Sequence, residues 1–198
     1  MQQIDPDAEL QRLNDIVYLA YDGNKEGRGG QIVFLHGIQS DHELDHDVHM
    51  RLSWSNKDGS QLWPNSWLSE SFPTAAIYLV QYDSRMHQDD KHGRLDMFVT
   101  AEMILDNLLL AGIGQSRKNP VILIGQDIGG LVLKETCLRA NSGARQDQRK
   151  MMFLQQLKGI FYFSTPNLGL DHKMHYWDPA CQANEGDTGE QCGNSTFE

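Results

Sequence analysis

Asp127 stands where the chain invites chemistry. The run Gly125-Gln126-Asp127-Ile128-Gly129-Gly130 follows an apolar strand, Val121-Ile122-Leu123-Ile124, and opens a helical stretch, Leu131-Val132-Leu133-Lys134-Glu135. Strand, sharp turn and helix in that order make a nucleophile elbow, whose pattern normally reads G-x-S-x-G. Here the nucleophile position carries a carboxylate in place of a hydroxyl. A residue at such a turn adopts positive φ, which is costly for side chains with a Cβ and less so for Asp or Asn. Gly125 and Gly129 fall two residues before and after it, where backbones crowd, and Gly130 is expected to bring the helix close to the strand. The helix N-terminus then aims free N–H groups and the positive end of its dipole at the site.

A second motif supplies the other half of such a site. His36-Gly37 closes the apolar run Gln31-Ile32-Val33-Phe34-Leu35. In hydrolases built on an elbow, this corner donates one backbone N–H to an oxyanion hole, and the residue after the nucleophile donates the other. The donors expected here come from Gly37 or Ile38 and from Ile128. No particular side chain is needed for that role, and His36 is read as a structural histidine bonded to loop backbone.

Two kinds of chemistry are open to Asp127. An elbow of the form G-x-D-x-G-G is similar to those of haloalkane dehalogenases and epoxide hydrolases, where a carboxylate attacks carbon and a histidine-activated water hydrolyses the ester. The first step needs no base; the second does. Candidate bases are His172 and His175, with Asp171 or Asp178 as orienter, although Asp171-His172-Lys173-Met174-His175 also reads as a solvated loop. Gln39 stands where those enzymes usually have proline. The other reading is an elbow that has lost its nucleophile.

A histidine cluster and three tryptophans offer further ligand candidates. His42, His46 and His49 with Asp45 have the i, i+4, i+7 spacing that places three histidines on one helical face. No apolar periodicity supports a helix there, so a polar loop is expected, with no metal and no cofactor. Trp54, Trp63 and Trp67 could line a lipid surface, but packing of the insert against the sheet is the simpler expectation.

These residues must be positioned by a parallel sheet. Strand-length apolar runs occur at 31–36, 76–82, 121–124 and 159–163, and their near-continuous apolar character means both faces are covered. Ile16–Ala20 is a candidate edge strand. Met97, Ala101, Ile104, Leu108 and Ala111 recur at helical spacing before Gly112, and a further helix is expected over 146–157 with Phe153, Leu154 and Leu157 facing the sheet. Alternating strands and helices argue an α/β, doubly wound, mostly parallel fold. Residues 38–62 are too long and polar for an ordinary connection, and 176–198 read as disordered.

Totals narrow the classes. The 198 residues suit one domain, with 39% hydrophobic and 22% charged residues. A net charge of −10 with no basic patch argues against nucleic acid. No apolar run approaches the roughly 20 residues of a membrane span, and the start reads as neither a signal peptide nor a transit peptide. Cys137, Cys181 and Cys192 do not suggest a disulfide framework, so a reducing, intracellular setting is expected.

Several landmarks together resemble one family. They are Ile32-Val33-Phe34-Leu35-His36-Gly37, Trp63-Pro64-Asn65-Ser66-Trp67-Leu68, Val80-Gln81-Tyr82-Asp83-Ser84, Gly125 to Lys134, and Ile160-Phe161-Tyr162-Phe163-Ser164-Thr165-Pro166. The chain is similar to the serine-active-site-containing, lipase-like α/β-hydrolases over residues 31–171. The resemblance implies an α/β-hydrolase-type sheet, a lipid or other ester-type small molecule as ligand, and a role in phospholipid metabolism. It also implies association with mitochondria or endoplasmic reticulum. The chain departs from the family at Asp127 for serine, Gln126 for the preceding histidine and Asn167 for a later one. It also ends where the family's last strands, acid and base would follow. The expected organisation is an N-terminal segment (1–30), an incomplete hydrolase domain (31–171) and a tail (172–198). Catalysis is expected to be impaired, as in a pseudoenzyme. A sheet lacking its last strands would bare the Ile160–Phe163 strand and favour self-association.

Overall fold

The computed structural model describes residues 10–23, 29–39, 43–56, 61–85 and 96–167. His42, Asp171, His172, His175, Asp178, Cys181 and Cys192 lie outside the described residues.

Six strands form one sheet: β1 (Gln11–Arg12), β2 (Val17–Asp22), β3 (Gln31–Leu35), β4 (Ala76–Val80), β5 (Val121–Gln126) and β6 (Leu157–Phe163). Their spatial order is β1-β2-β4-β3-β5-β6. β3 pairs in parallel with β4 and β5, and β5 with β6, while β2 runs antiparallel to β1 and β4. The candidate edge strand at Ile16–Ala20 is therefore corrected: β2 lies one place in, between β4 and the two-residue β1, because Gln11 and Arg12 fold back against Leu19 and Tyr18.

Every residue of β3 and β4 is buried, as strands covered on both faces require. Side-chain alternation sorts the core into two layers. Val33, Leu35, Val80 and Leu123 pack against helices α3 (Met97–Leu110), α4 (Ile128–Gly143) and α5 (Gln148–Gln156) through Ile104, Leu105, Val132, Leu133 and Phe153. Ile32, Phe34, Ile77 and Leu79 face the other way, toward Met50 and Trp54. Helix starts follow their caps: Asp96 accepts from the N–H groups of Phe98 and Val99, and Asp147 from that of Arg149. Gly112, at φ 77°, turns the chain out of α3.

The stretch 38–62 corrects the loop expectation. It holds helix α1 (His46–Ser53), capped by Asp45, which accepts from the Asp47 N–H. The helix buries Met50 and leaves Val48 and Leu52 exposed, so its apolar face is one residue wide and carries no readable period. A π-helical turn, Pro64–Leu68, runs into a single α-helical turn, α2 (Ser69–Ser71). This presses Trp63 edge-on to Phe34 at 5.5 Å, while Trp54 meets Phe34 at 4.9 Å. Trp54 and Trp63 thus pack over the sheet, but Trp67 is 66% exposed. At the other side β6 forms the sheet edge among the described residues, with Phe161 and Phe163 more than half exposed.

Candidate active site

The elbow between β5 and α4 bends sharply at Asp127, whose backbone lies at φ 51°, ψ −127°. A residue with a Cβ adopts such a conformation only where surroundings enforce it, and strain of this kind clusters at functional sites. The Asp127 N–H donates to the Phe163 carbonyl at the end of β6 (2.8 Å), and the Asp127 carbonyl accepts from the Gly130 N–H (3.1 Å). The end of β6 and the first turn of α4 hold the turn. A Cβ on Gly129 would collide with the His36 carbonyl oxygen and stand 2.9 Å from that of Leu35. One on Gly125 would meet the Gly130 Cα at 2.7 Å, and one on Gly37 would meet the Asp127 Cβ at 2.8 Å. The glycines allow β3, β5 and α4 to converge beneath Asp127. Gly130 also abuts the Thr165 side chain, so a methyl group there would strike Thr165.

The carboxylate bends back toward the corner after β3. Ile38 N–H donates to Asp127 Oδ2 at 3.2 Å. Ile128 is the first residue of α4, so the helix itself does not satisfy its N–H. Asp127, Gly37, Ile38, Ile128, Gly125, Gly129 and Gly130 therefore converge at one turn. Among the described residues Oδ1 of Asp127 accepts no hydrogen bond and no histidine bonds the carboxylate. The sequence-derived bases His172 and His175, with Asp171, fall outside the described residues.

His36 is fully buried beside the carboxylate's corner. Its Nδ1 lies 2.9 Å from the Gly37 carbonyl, which can only accept, so the proton sits on Nδ1. Nε2 then accepts from the Tyr82 N–H (3.4 Å). The Tyr82 hydroxyl donates to the His36 carbonyl (2.7 Å), and the two rings stack at 4.4 Å. Burial drives the His36 pKa down to about 3, with the His49 and His46 charges adding in the same direction. Burial, and secondarily the Asp127 charge, raises that of the Tyr82 hydroxyl. His36 is thus a neutral structural ring with both nitrogens engaged.

A pH dependence follows. The folded-state pKa of His36 lies below that of the unfolded chain, so between the two the unfolded chain binds the extra proton. This contribution to stability is complete above about pH 6.5 and falls as pH drops toward 3, by roughly 1 kcal/mol per pH unit. His49, whose pKa burial also lowers, acts in the same direction. Denaturant unfolding at pH 7.5, 6 and 5 should show stability declining below pH 6.5, less steeply in His36→Asn. A decline equally steep in both proteins would contradict this origin.

The histidines of α1 serve the same corner. His49 stands edge-on to His36 at 4.8 Å. His46 Nδ1 meets Gln39 Oε1 at 2.7 Å, and its Nε2 lies 3.7 Å from Asp83 Oδ2. Bonding to Arg85 holds the Asp83 carboxyl at about 2. Among the described residues no three His, Cys, Asp or Glu side chains gather as a metal site. Tyr82 was the participant that residue types did not reveal; its only signal was a place in the Val80–Ser84 landmark.

The strand order, the antiparallel β2 and the elbow after β5 define an α/β-hydrolase-type fold. No protein-family profile matches the chain. Among curated proteins it is similar to Protein SERAC1 of Danio rerio, with 25% identity over 185 residues, covering 85% of this chain and 27% of that protein. It is also similar to Protein SERAC1 of Bos taurus, with 22% identity over 188 residues, covering 89% and 28%. The chain thus spans just over a quarter of the length of these relatives. Among solved structures it is similar to YbtT, a type II thioesterase from the yersiniabactin NRPS/PKS biosynthetic pathway (12% identity, TM-score 0.38, 66% of this chain and 43% of that one). A point mutant of that thioesterase gives 14% identity, a TM-score of 0.39 and the same coverage.

Proposed function

We propose that this chain is a lipase/esterase-like α/β-hydrolase domain that has kept the binding half of the site and lost serine catalysis. The observation that carries this reading is the Ile38 N–H to Asp127 Oδ2 bond. An oxyanion hole works by meeting charge that develops on the substrate. Here a resident carboxylate already takes that donor, and a second anion beside it would be repelled. Attack of a carboxylate on an ester carbonyl would also give a mixed anhydride by expelling an alkoxide, a poorer exchange than the one serine makes. The ligand class is an ester- or acyl-type small molecule. Phospholipid metabolism, at mitochondria or endoplasmic reticulum, is the setting that the lipase-like resemblance supports. Among the described residues no helix is long and apolar enough to cross a membrane.

A second reading has its own observation. Oδ2 is held while Oδ1 accepts no bond among the described residues, as a carboxylate nucleophile attacking an epoxide or haloalkyl carbon would require. Turnover separates the two. Neither the native chain nor folded Asp127→Ser should hydrolyse short-chain activated esters above the buffer rate. Epoxide or haloalkane turnover by the native chain that disappears in Asp127→Asn would replace the first reading by the second.

A further inference from the structure

The Gly37–Ile38 peptide lies between His36 and the elbow. In a trans peptide the carbonyl and the N–H of one plane point in opposite directions. The plane joining Gly37 to Ile38 has its carbonyl on His36 Nδ1 at 2.9 Å and its N–H on Asp127 Oδ2 at 3.2 Å. Turning either end turns the other. Glycine at position 37 offers the plane no side-chain resistance, and a Cβ there would press on Asp127. The plane is held at its carbonyl end, by His36 Nδ1 at 2.9 Å, with His49 against the same carbonyl.

We infer that His36 is a positioning residue: its Nδ1–H fixes the Gly37–Ile38 peptide plane so that the Ile38 N–H faces the elbow. The ring is itself held by three contacts to Tyr82. The Tyr82 N–H occupies Nε2, which leaves the proton to Nδ1; the Tyr82 ring stacks on the imidazole; and the Tyr82 hydroxyl anchors the His36 carbonyl. Gly129 packs against that same carbonyl from the helix side. The end of β4 thus reaches the anion-facing donor through His36, without touching Asp127.

This inference rests on reading the Ile38 N–H as the site's donor, and its test reads that amide and not turnover. Asparagine can place its side-chain N–H where Nδ1 stands, whereas glutamine places it near Nε2. In His36→Gln the Ile38 amide should exchange with solvent about tenfold faster, the loss of roughly one hydrogen bond. His36→Asn should keep near-native exchange. A folded His36→Gln with native Ile38 exchange would overturn the inference, even with a lowered melting temperature. So would equal change in the two variants. Should the glutamine variant fail to fold, His36→Leu carries the test: it fills the buried place of the ring and offers the Gly37 carbonyl no donor. Faster Ile38 exchange supports the inference there, and unchanged exchange overturns it. Absence of hydrolysis by any variant bears on the proposed function alone.

Discussion

Gly129→Ala loses about 3 kcal/mol of stability or more. On helix propensity alone the exchange should help, by up to roughly 1 kcal/mol. The collision decides the sign: the new methyl group would strike the carbonyl of His36, just past β3, and sit 2.9 Å from that of Leu35, the last residue of β3. A side chain can swing away from such a contact. A central strand paired on both sides cannot, since β3 is bonded to β4 and to β5 along its length. The variant must either lift α4 off the sheet or distort the corner that carries Ile38. Urea unfolding measures the loss, and stability equal to or above native would contradict the packing described. Gly112→Ala is the natural comparison. It stands at φ 77° with nothing within 4 Å of a new Cβ, so it should lose only the left-handed penalty of about 1 to 2 kcal/mol.

Phe34→Ala should cost about 3 to 5 kcal/mol. Phe34 is fully buried on the face of β3 opposite the helices α3 and α4, and it is the floor on which Trp54 and Trp63 rest. Removing the ring deletes its own burial and two edge-to-face contacts, each worth about 0.5 to 1.5 kcal/mol beyond area. The space is bounded by a sheet that cannot close and a π-helical turn that can. The two indoles should therefore become wetter, and the tryptophan emission should shift to longer wavelength before unfolding begins. A variant as stable as native, with unshifted emission, would mean that the 38–75 region does not depend on the sheet as its contacts indicate.

Much of this was readable before any coordinates. The four apolar runs became β3, β4, β5 and β6; cover on both faces accounts for the composition of β3 and β4, whereas β6 is apolar yet largely exposed at the edge of the described sheet. The elbow was legible from Gly125, Gly129 and Gly130, whose spacing follows from backbone crowding and not from chemistry. What escaped were elements held by few residues. α1 buries one side chain deeply, Met50, so it had no period to read, and β1 is two residues folded back on β2. In the site, Gly37, Ile38 and Ile128 were inferred from a motif. The role of Tyr82 was not, since it acts through its backbone N–H, ring face and hydroxyl at once, and tertiary contact alone assembles these. Nor could residue types tell that the Asp127 carboxylate would turn onto the Ile38 N–H.

Intact-mass spectrometry separates an elbow that has lost its chemistry from a working carboxylate nucleophile. The native chain would be incubated at neutral pH with an activated short-chain ester, an epoxide and a haloalkane in turn, then quenched in acid, and the same done with Asp127→Asn. With Asp127 engaged at the Ile38 donor and serine absent, the mass should be unmodified in every case. An acyl or alkyl adduct that maps to Asp127 and is absent from Asp127→Asn would contradict it, and would make the elbow a working carboxylate nucleophile.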